Sequence, residues 1–129
     1  MEVRAISKSV RMSPRKVRLI ADAIRTMPIE EAFQLLEVTP KRAARVIAKT
    51  LQSAVANATN NAKLDKNNLV IASIMVNEAP ALKRFHPSSR GRAHPYKKRG
   101  SHLSIVLKEK ARVAPLVASE VVEQKGAKK

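Results

Sequence analysis

The sequence predicts an α+β fold, and three observations carry that prediction. Alternating, β-branched segments occur at residues 2–10, 69–78 and 101–110, while three helical patterns lie in one run between the first two. The 129 residues are the size of one domain. The 44% hydrophobic content supports a core, which must be aliphatic because Phe33, Phe85 and Tyr96 are the only aromatics.

Residues 2–10 (EVRAISKSV) mix β-branched and charged residues in loose alternation, the pattern of a short, half-exposed strand. Met12-Ser13-Pro14 then starts a helix. Ser13 can cap free amides, and Pro14 at the first helical position loses no hydrogen bond. Val17, Ile20, Ala21 and Ile24 form its buried stripe, with Arg15, Arg18, Asp22 and Arg25 on a different face. Thr26-Met27-Pro28 ends this helix and opens a second, whose Glu30 and Glu31 suit the positive end of the helix dipole. Ile29, Phe33 and Leu36 supply its apolar face. Thr39-Pro40 repeats the cap-then-proline signal before a third helix running to about Asn60. Its apolar line is Ala44, Ile47, Leu51, Ala54, Val55 and Ala58, small enough for close packing, and Lys41, Arg45 and Lys49 form a separate basic row. After the polar run 63–68 come the last two strands, with Leu103, Ile105 and Leu107 alternating against Ser104, Val106 and Lys108. The 22 residues between those strands are too many for a hairpin turn. They form either a disordered loop or an outward continuation of both strands, an arm of about ten residues a side and ~30 Å reach. Residues 111–129 end in Lys125-Gly126-Ala127-Lys128-Lys129 and are expected to be a basic, flexible tail outside the domain of residues 1–110.

A formal net charge of +16 opposes compaction and calls for a polyanionic partner, either nucleic acid or an anionic membrane surface. No apolar run approaches the roughly 20 residues of a membrane span. Glu2 and Arg4 interrupt any leader at the start, and the absence of cysteine excludes disulfides and thiolate metal sites. A cytosolic protein bound to nucleic acid fits these facts. Residues 79–108 hold eight Lys or Arg, all three histidines (His86, His94, His102) and no acid. Cations interleaved with Phe85, Tyr96 and histidine suit RNA, the charges meeting phosphates and the planar groups stacking on unpaired bases. Gly91 and Gly100 permit turns or close backbone approach, while Pro80, Pro87 and Pro95 forbid regular pairing where they sit yet keep an arm stiff. The Arg15, Arg18 and Arg25 face and the Lys41, Arg45 and Lys49 row are read jointly with the arm as phosphate contacts, against the plainer reading of a solvated helix surface.

Catalysis is not expected. The histidines recur every eight residues with no carboxylate nearby to complete a metal shell, and Glu30-Glu31 is explained by its place in a helix first turn. There is no glycine-rich phosphate loop, no GxSxG and no HExxH, so neither cofactor nor metal is implied. A DNA-bending protein with basic β-arms is the rival reading, but residues 87–91 (Pro-Ser-Ser-Arg-Gly) offer no apolar wedge apart from Pro87. A membrane-surface helix would need a Trp- or Phe-rich face, which no helix here has.

VRMSPRKVRLIADAIR (10–25), SAVANATNNA (53–62), NEAPALKRF (77–85) and GRAHPYKKRGSHLSIVL (91–107) occur in this order. Together they resemble the universal large-subunit ribosomal protein family numbered twenty-two, over about residues 1–110. The resemblance implies three helices packed on a small three-stranded antiparallel sheet, with a long protruding β-hairpin arm at about 77–101. It implies a structural, non-enzymatic constituent of the cytoplasmic ribosome that binds large-subunit ribosomal RNA and assists assembly, with neighbouring ribosomal proteins as partners and no homo-oligomer. The residues assigned to RNA are Arg11, Ser13, Arg15, Lys16, Arg18, Lys41, Arg45, Lys83, Arg84, Arg90, Arg92, Lys97, Lys98 and Arg99. The arm's tip, with Arg84, His86, Ser88, Arg90, Gly91, Arg92 and His94, would line the nascent-peptide tunnel and meet the nascent polypeptide. Ser88 stands where the family usually has a basic residue, and His94-Pro95 replaces its commoner acidic-then-aliphatic pair. The short N-terminus looks bacterial rather than organellar.

Overall fold

The computed structural model describes residues 1–110; the expected tail at 111–129 lies outside the described residues. Strand β1 (Glu2–Val10) is followed by helices α1 (Pro14–Ile24), α2 (Ile29–Val38) and α3 (Arg42–Asn60), a short 3-10 turn (Lys66–Asn68), and the long strands β2 (Leu69–Pro87) and β3 (Ala93–Glu109). The sheet order is β1-β3-β2, with both pairings antiparallel. The α+β class and its three-on-three arrangement are therefore those expected from the sequence.

The central strand sets the core. Leu103, Ile105 and Leu107 on β3 are fully buried, and the helices lay their apolar lines over that face. The expected stripe of α1 (Val17, Ile20, Ala21, Ile24) and the expected line of α3 are both buried throughout. Ala44, Ala54 and Ala58 have no exposed surface, and their small size lets α3 lie close across β1 and β3. On α2, Ala32 takes an inner place beside Ile29 and Leu36, while Phe33 is only partly buried against the core. At the sheet's edge, Lys108 sits 2.7 Å from Glu2 and, through that hydrogen bond first and its charge second, holds the Glu2 carboxyl below the usual carboxylate range.

Two expected caps are made differently. Ser13 is the residue before α1, but its hydroxyl makes no capping bond; its carbonyl instead accepts from the amides of Lys16 and Val17. Thr39 does not start α3: its hydroxyl donates to Leu35 O at 2.6 Å and closes α2, so α3 begins three residues later, after Lys41. A proline after a Ser or Thr thus marked a helix boundary in both places, but in the second it marked the end of a helix rather than a beginning.

The 22 residues between the expected strands form no structureless loop. Beyond the pair Val10–Ser101, β1 stops, and β2 and β3 continue alone to Pro87–Ala93. Residues 79–87 at roughly 3.3 Å each carry the hairpin about 30 Å from the sheet. The prolines correct an expectation. Pro80 does fall in a register shift, between Ala79 and Leu82, but Pro87 and Pro95 lie within the regular ladder. The Ser88 amide donates to Arg92 O at 2.7 Å, which makes Ser88–Arg92 a hydrogen-bonding position. By the two-residue period, Pro87–Ala93 and Phe85–Pro95 are non-bonding positions, where an amide would point outward and a proline sacrifices nothing.

The root of the arm is tightly packed. A Cβ on Gly100 would meet Val10 O at 3.2 Å and the Ala79 Cβ at 3.3 Å, so glycine permits the close approach of three strands there. The next residue, Ser101, is fully buried, and its hydroxyl has no hydrogen-bond partner. Replacing Ser101 by Ala is expected to raise the unfolding free energy by about 1 kcal/mol, whereas Ile105→Ala should lower it by about 3 kcal/mol. Urea denaturation of both variants checks this, and a clear loss of stability in Ser101→Ala would reveal a partner for the hydroxyl in solution.

Candidate nucleic-acid interface

Three separate elements converge on one basic cleft of about 570 Å³. The turn after β1 and the start of α1 supply Arg11, Met12, Ser13, Lys16 and Leu19; the start of α3 supplies Lys41, Arg42 and Ala43; the arm's root supplies Arg99. The close approach of Gly100 to Val10 brings the arm's root beside the turn after β1, so that Arg99 and Arg11 line the same cleft. Five of these nine residues are cationic and none is acidic. Both α1 and α3 begin here with no acid in the first turn and no side-chain cap, so two helix dipoles add positive potential to the cleft. In contrast, α2 places Glu30 and Glu31 in its own first turn, and neither lines the cleft.

The arm presents two different faces, because successive pairs of an antiparallel ladder point to opposite sides. Leu82–Lys98, Arg84–Tyr96 and His86–His94 share one face. There the His86 and Tyr96 rings stack with centroids 4.2 Å apart and planes 13° from parallel. Lys83–Lys97, Phe85–Pro95 and Pro87–Ala93 share the other, where Phe85 is 68% exposed. At the tip, Arg90 and Gly91 adopt consecutive left-handed conformations, with φ 61° and 68°. His94 Nε2 lies 3.1 Å from the Ser88 hydroxyl, and Arg92 follows the turn with its amide directed to Ser89 O. The turn thus ties two of the tip residues singled out in the sequence to each other.

The sequence-assigned residues fall in several places, two of which share Lys41. Arg11, Ser13, Lys16, Lys41 and Arg99 come together in the cleft. Lys83, Arg84, Lys97 and Lys98 lie on the arm, and Arg90 and Arg92 at its tip. Arg15 is exposed on α1 but does not line the cleft. Arg45 and Lys49 line a larger groove between α2 and α3, which Lys41 and Arg42 also border and which holds Glu30 and Glu37, so that groove is mixed in charge. Arg18 is exposed but does not line the cleft: its Nε and Nη2 donate to Val76 O at 3.2 and 3.0 Å. Arg25 likewise donates to Ile74 O and pairs with Asp22 at 3.0 Å. These two arginines cover the carbonyls on the outer edge of β2, which has no strand neighbour there. His102, the third histidine of the basic segment, has a structural place: its Nδ1 accepts from the Ser9 amide at 2.9 Å, beside the left-handed bulge of β1.

Four cleft residues, Met12, Leu19, Arg42 and Ala43, escaped the sequence reading as site residues. Arg42 follows Lys41 directly, and the doublet at a helix start without an acid was the available signal. Leu19, 59% exposed among cations, gave none, because a single surface leucine is unremarkable in sequence. Among the described residues, no three His, Cys, Asp or Glu side chains gather as metal ligands, and no helix is long and apolar enough to cross a membrane.

The model of the family described as ribosomal protein L22p/L17e matches residues 5–108, nearly all of the described chain. The chain belongs to this family. It is similar to the large ribosomal subunit protein uL22 of Clostridium novyi, with 55% identity over 111 residues, covering 86% of this chain and all of that protein. The proteins of the same name from Clostridium acetobutylicum and Fusobacterium nucleatum are 51% and 50% identical, each aligned over nearly its full length. Membership in a family of structural ribosomal proteins, rather than any vacant pocket, is the ground for regarding the chain as non-enzymatic.

The two arginine environments should separate in stability measurements. Arg18→Ala is expected to lower the unfolding free energy by about 1 kcal/mol, because it uncovers β2 carbonyls and removes packing. Lys16→Ala should leave stability unchanged or raise it by about 0.5 kcal/mol at low salt, by relieving repulsion among the cleft cations. Urea titrations at two ionic strengths distinguish these effects.

Proposed function

We propose that the chain is a structural constituent of the large ribosomal subunit. On this reading it grips large-subunit ribosomal RNA with the cleft and threads its arm between RNA segments. The observation that carries this is the acid-free cleft shared by Arg11, Lys16, Lys41, Arg42 and Arg99, which is continuous through Arg99 with an equally acid-free arm. A surface of one sign, built from residues far apart in sequence, matches a phosphate backbone better than any neutral partner. Shape and phosphate spacing then carry recognition, while the His86–Tyr96 face offers planar groups to unpaired bases. The family's named relatives are proteins of that subunit, and a ~30 Å reach suits a tip that lines the nascent-peptide tunnel. In this role Arg84, His86, Ser88, Arg90, Gly91, Arg92 and His94 meet the nascent polypeptide or the surrounding RNA. Neighbouring ribosomal proteins cover part of the body, and binding assists assembly by joining RNA segments reached by the cleft and by the arm.

Sucrose-gradient sedimentation of the tagged chain after a high-salt wash, with and without RNase, tests the assignment. Migration with the large subunit that resists salt and is abolished by RNase is expected. A chain that washes off, or that follows chromosomal DNA, would overturn it. For the purified protein, single alanine substitutions at Arg11, Lys16, Arg42 and Arg99 should each flatten the slope of log affinity for ribosomal RNA against log salt by about 0.7–0.9. Lys49→Ala, in the mixed-charge groove, should leave that slope unchanged.

A further inference from the structure

The cleft has an apolar part to its lining that phosphate binding does not require. Met12, Leu19 and Ala43 lie among its cations, and Leu19 is 59% exposed although α1 has a fully buried stripe on its other side. A phosphate contacts cations and amides and gains nothing from a leucine. The outer surface of an RNA duplex is charged, and its bases are stacked inside, so it could meet the cations of the cleft but offers no apolar face to Met12 and Leu19. A volume of about 570 Å³ is within the range of roughly 300–1,000 Å³ typical of pockets that take a small organic ligand. The ligand that unites these features is planar and apolar on its faces and carries phosphates on both sides: one unstacked nucleotide in a continuous RNA strand.

We propose that this cleft is a receptor for a single nucleotide turned out of an RNA helix. The base rests on Met12 and Leu19, while its flanking phosphates are held by the surrounding cations Arg11, Lys16, Arg42 and Arg99. This rests on the RNA-binding reading above and adds to it that one position of the RNA is selected by being unpaired. Extrusion is least costly where the base is already a bulge, so the site discriminates structure rather than base identity.

The test uses the full chain and two RNA hairpins that differ only by one bulged 2-aminopurine, with the same base paired in the control. Affinity is measured at matched salt, together with 2-aminopurine fluorescence. The bulged hairpin is expected to bind about tenfold more tightly, with a fluorescence change on binding, and Leu19→Ser should abolish both the preference and the change while the protein still binds. Because Leu19 is largely exposed, that variant keeps its buried stripe, and the wild-type comparison of the two hairpins stands without it. Equal, salt-dependent binding of both hairpins would overturn the nucleotide receptor and leave the RNA-binding role intact. A preference that survives Leu19→Ser would place the unpaired base elsewhere, such as on the arm, and would also overturn it. Failure to bind either hairpin at low salt would overturn the RNA-binding reading itself.

Discussion

Every part of this molecule depends on the pairing of β3 with two strands at one end and with a single strand at the other. Over residues 101–108 it is hydrogen-bonded on both edges, and its inward side chains Leu103, Ile105 and Leu107 fix where the helices sit. Beyond Ser101 the same strand has β2 as its only neighbour, so no third strand limits where the hairpin can go. A one-residue slip of β3 would therefore do two things at once. It would turn the core leucines outward and exchange the two faces of the arm. The register shifts of β2 act as local adjustments to this pairing. One falls at Ile71/Ser73 and one at Ala79/Leu82, where Pro80 removes an amide from the ladder at the point where the arm leaves the body.

Charge is arranged on this frame by position rather than by total. Three acids stand on α2, where Glu30 and Glu31 occupy a helix first turn and Glu37 lines the mixed groove, and Glu2 is paired at the sheet's edge. The cleft and the arm beyond Glu78 hold none. Two arginines that would otherwise add to the basic surface instead brace the open edge of β2. The surface that remains for a polyanion is thus narrower than a net charge of +16 suggests, and it is continuous from Ser13 through Arg99 into the arm.

Helical periodicity made the core legible, because Val17, Ile20, Ala21, Ile24 and the long line of α3 repeat at intervals that only one face can satisfy. Alternation did the same for β3. The outer half of the hairpin was ambiguous because its residues are histidine, proline and arginine. They carry no apolar alternation, since neither face of a two-stranded arm is buried by the protein itself. The pairing there shows only in backbone register. The cleft was partly legible, since Arg11, Lys16, Lys41 and Arg99 are basic residues in basic surroundings. What joined them, the contact of Gly100 with Val10, spans some ninety residues and leaves no local pattern. The bracing contact of Arg18 was not legible for a similar reason: helix phase places it outward, and outward from α1 at that point means toward β2.

The tip makes one further point about the relation between strain and role. Two consecutive left-handed residues close the hairpin, and only the second is a glycine. An arginine in that conformation carries a steric cost of roughly 1–2 kcal/mol, which glycine at the same place would avoid. The turn's backbone demands therefore do not explain the residue found at position 90. Among the described residues, the hydrogen bonds that close the turn run between Ser88, Ser89, Arg92 and His94 and do not involve its side chain. What remains is an exposed cation at the tip of the arm, held there at a backbone cost that the fold of the turn does not require.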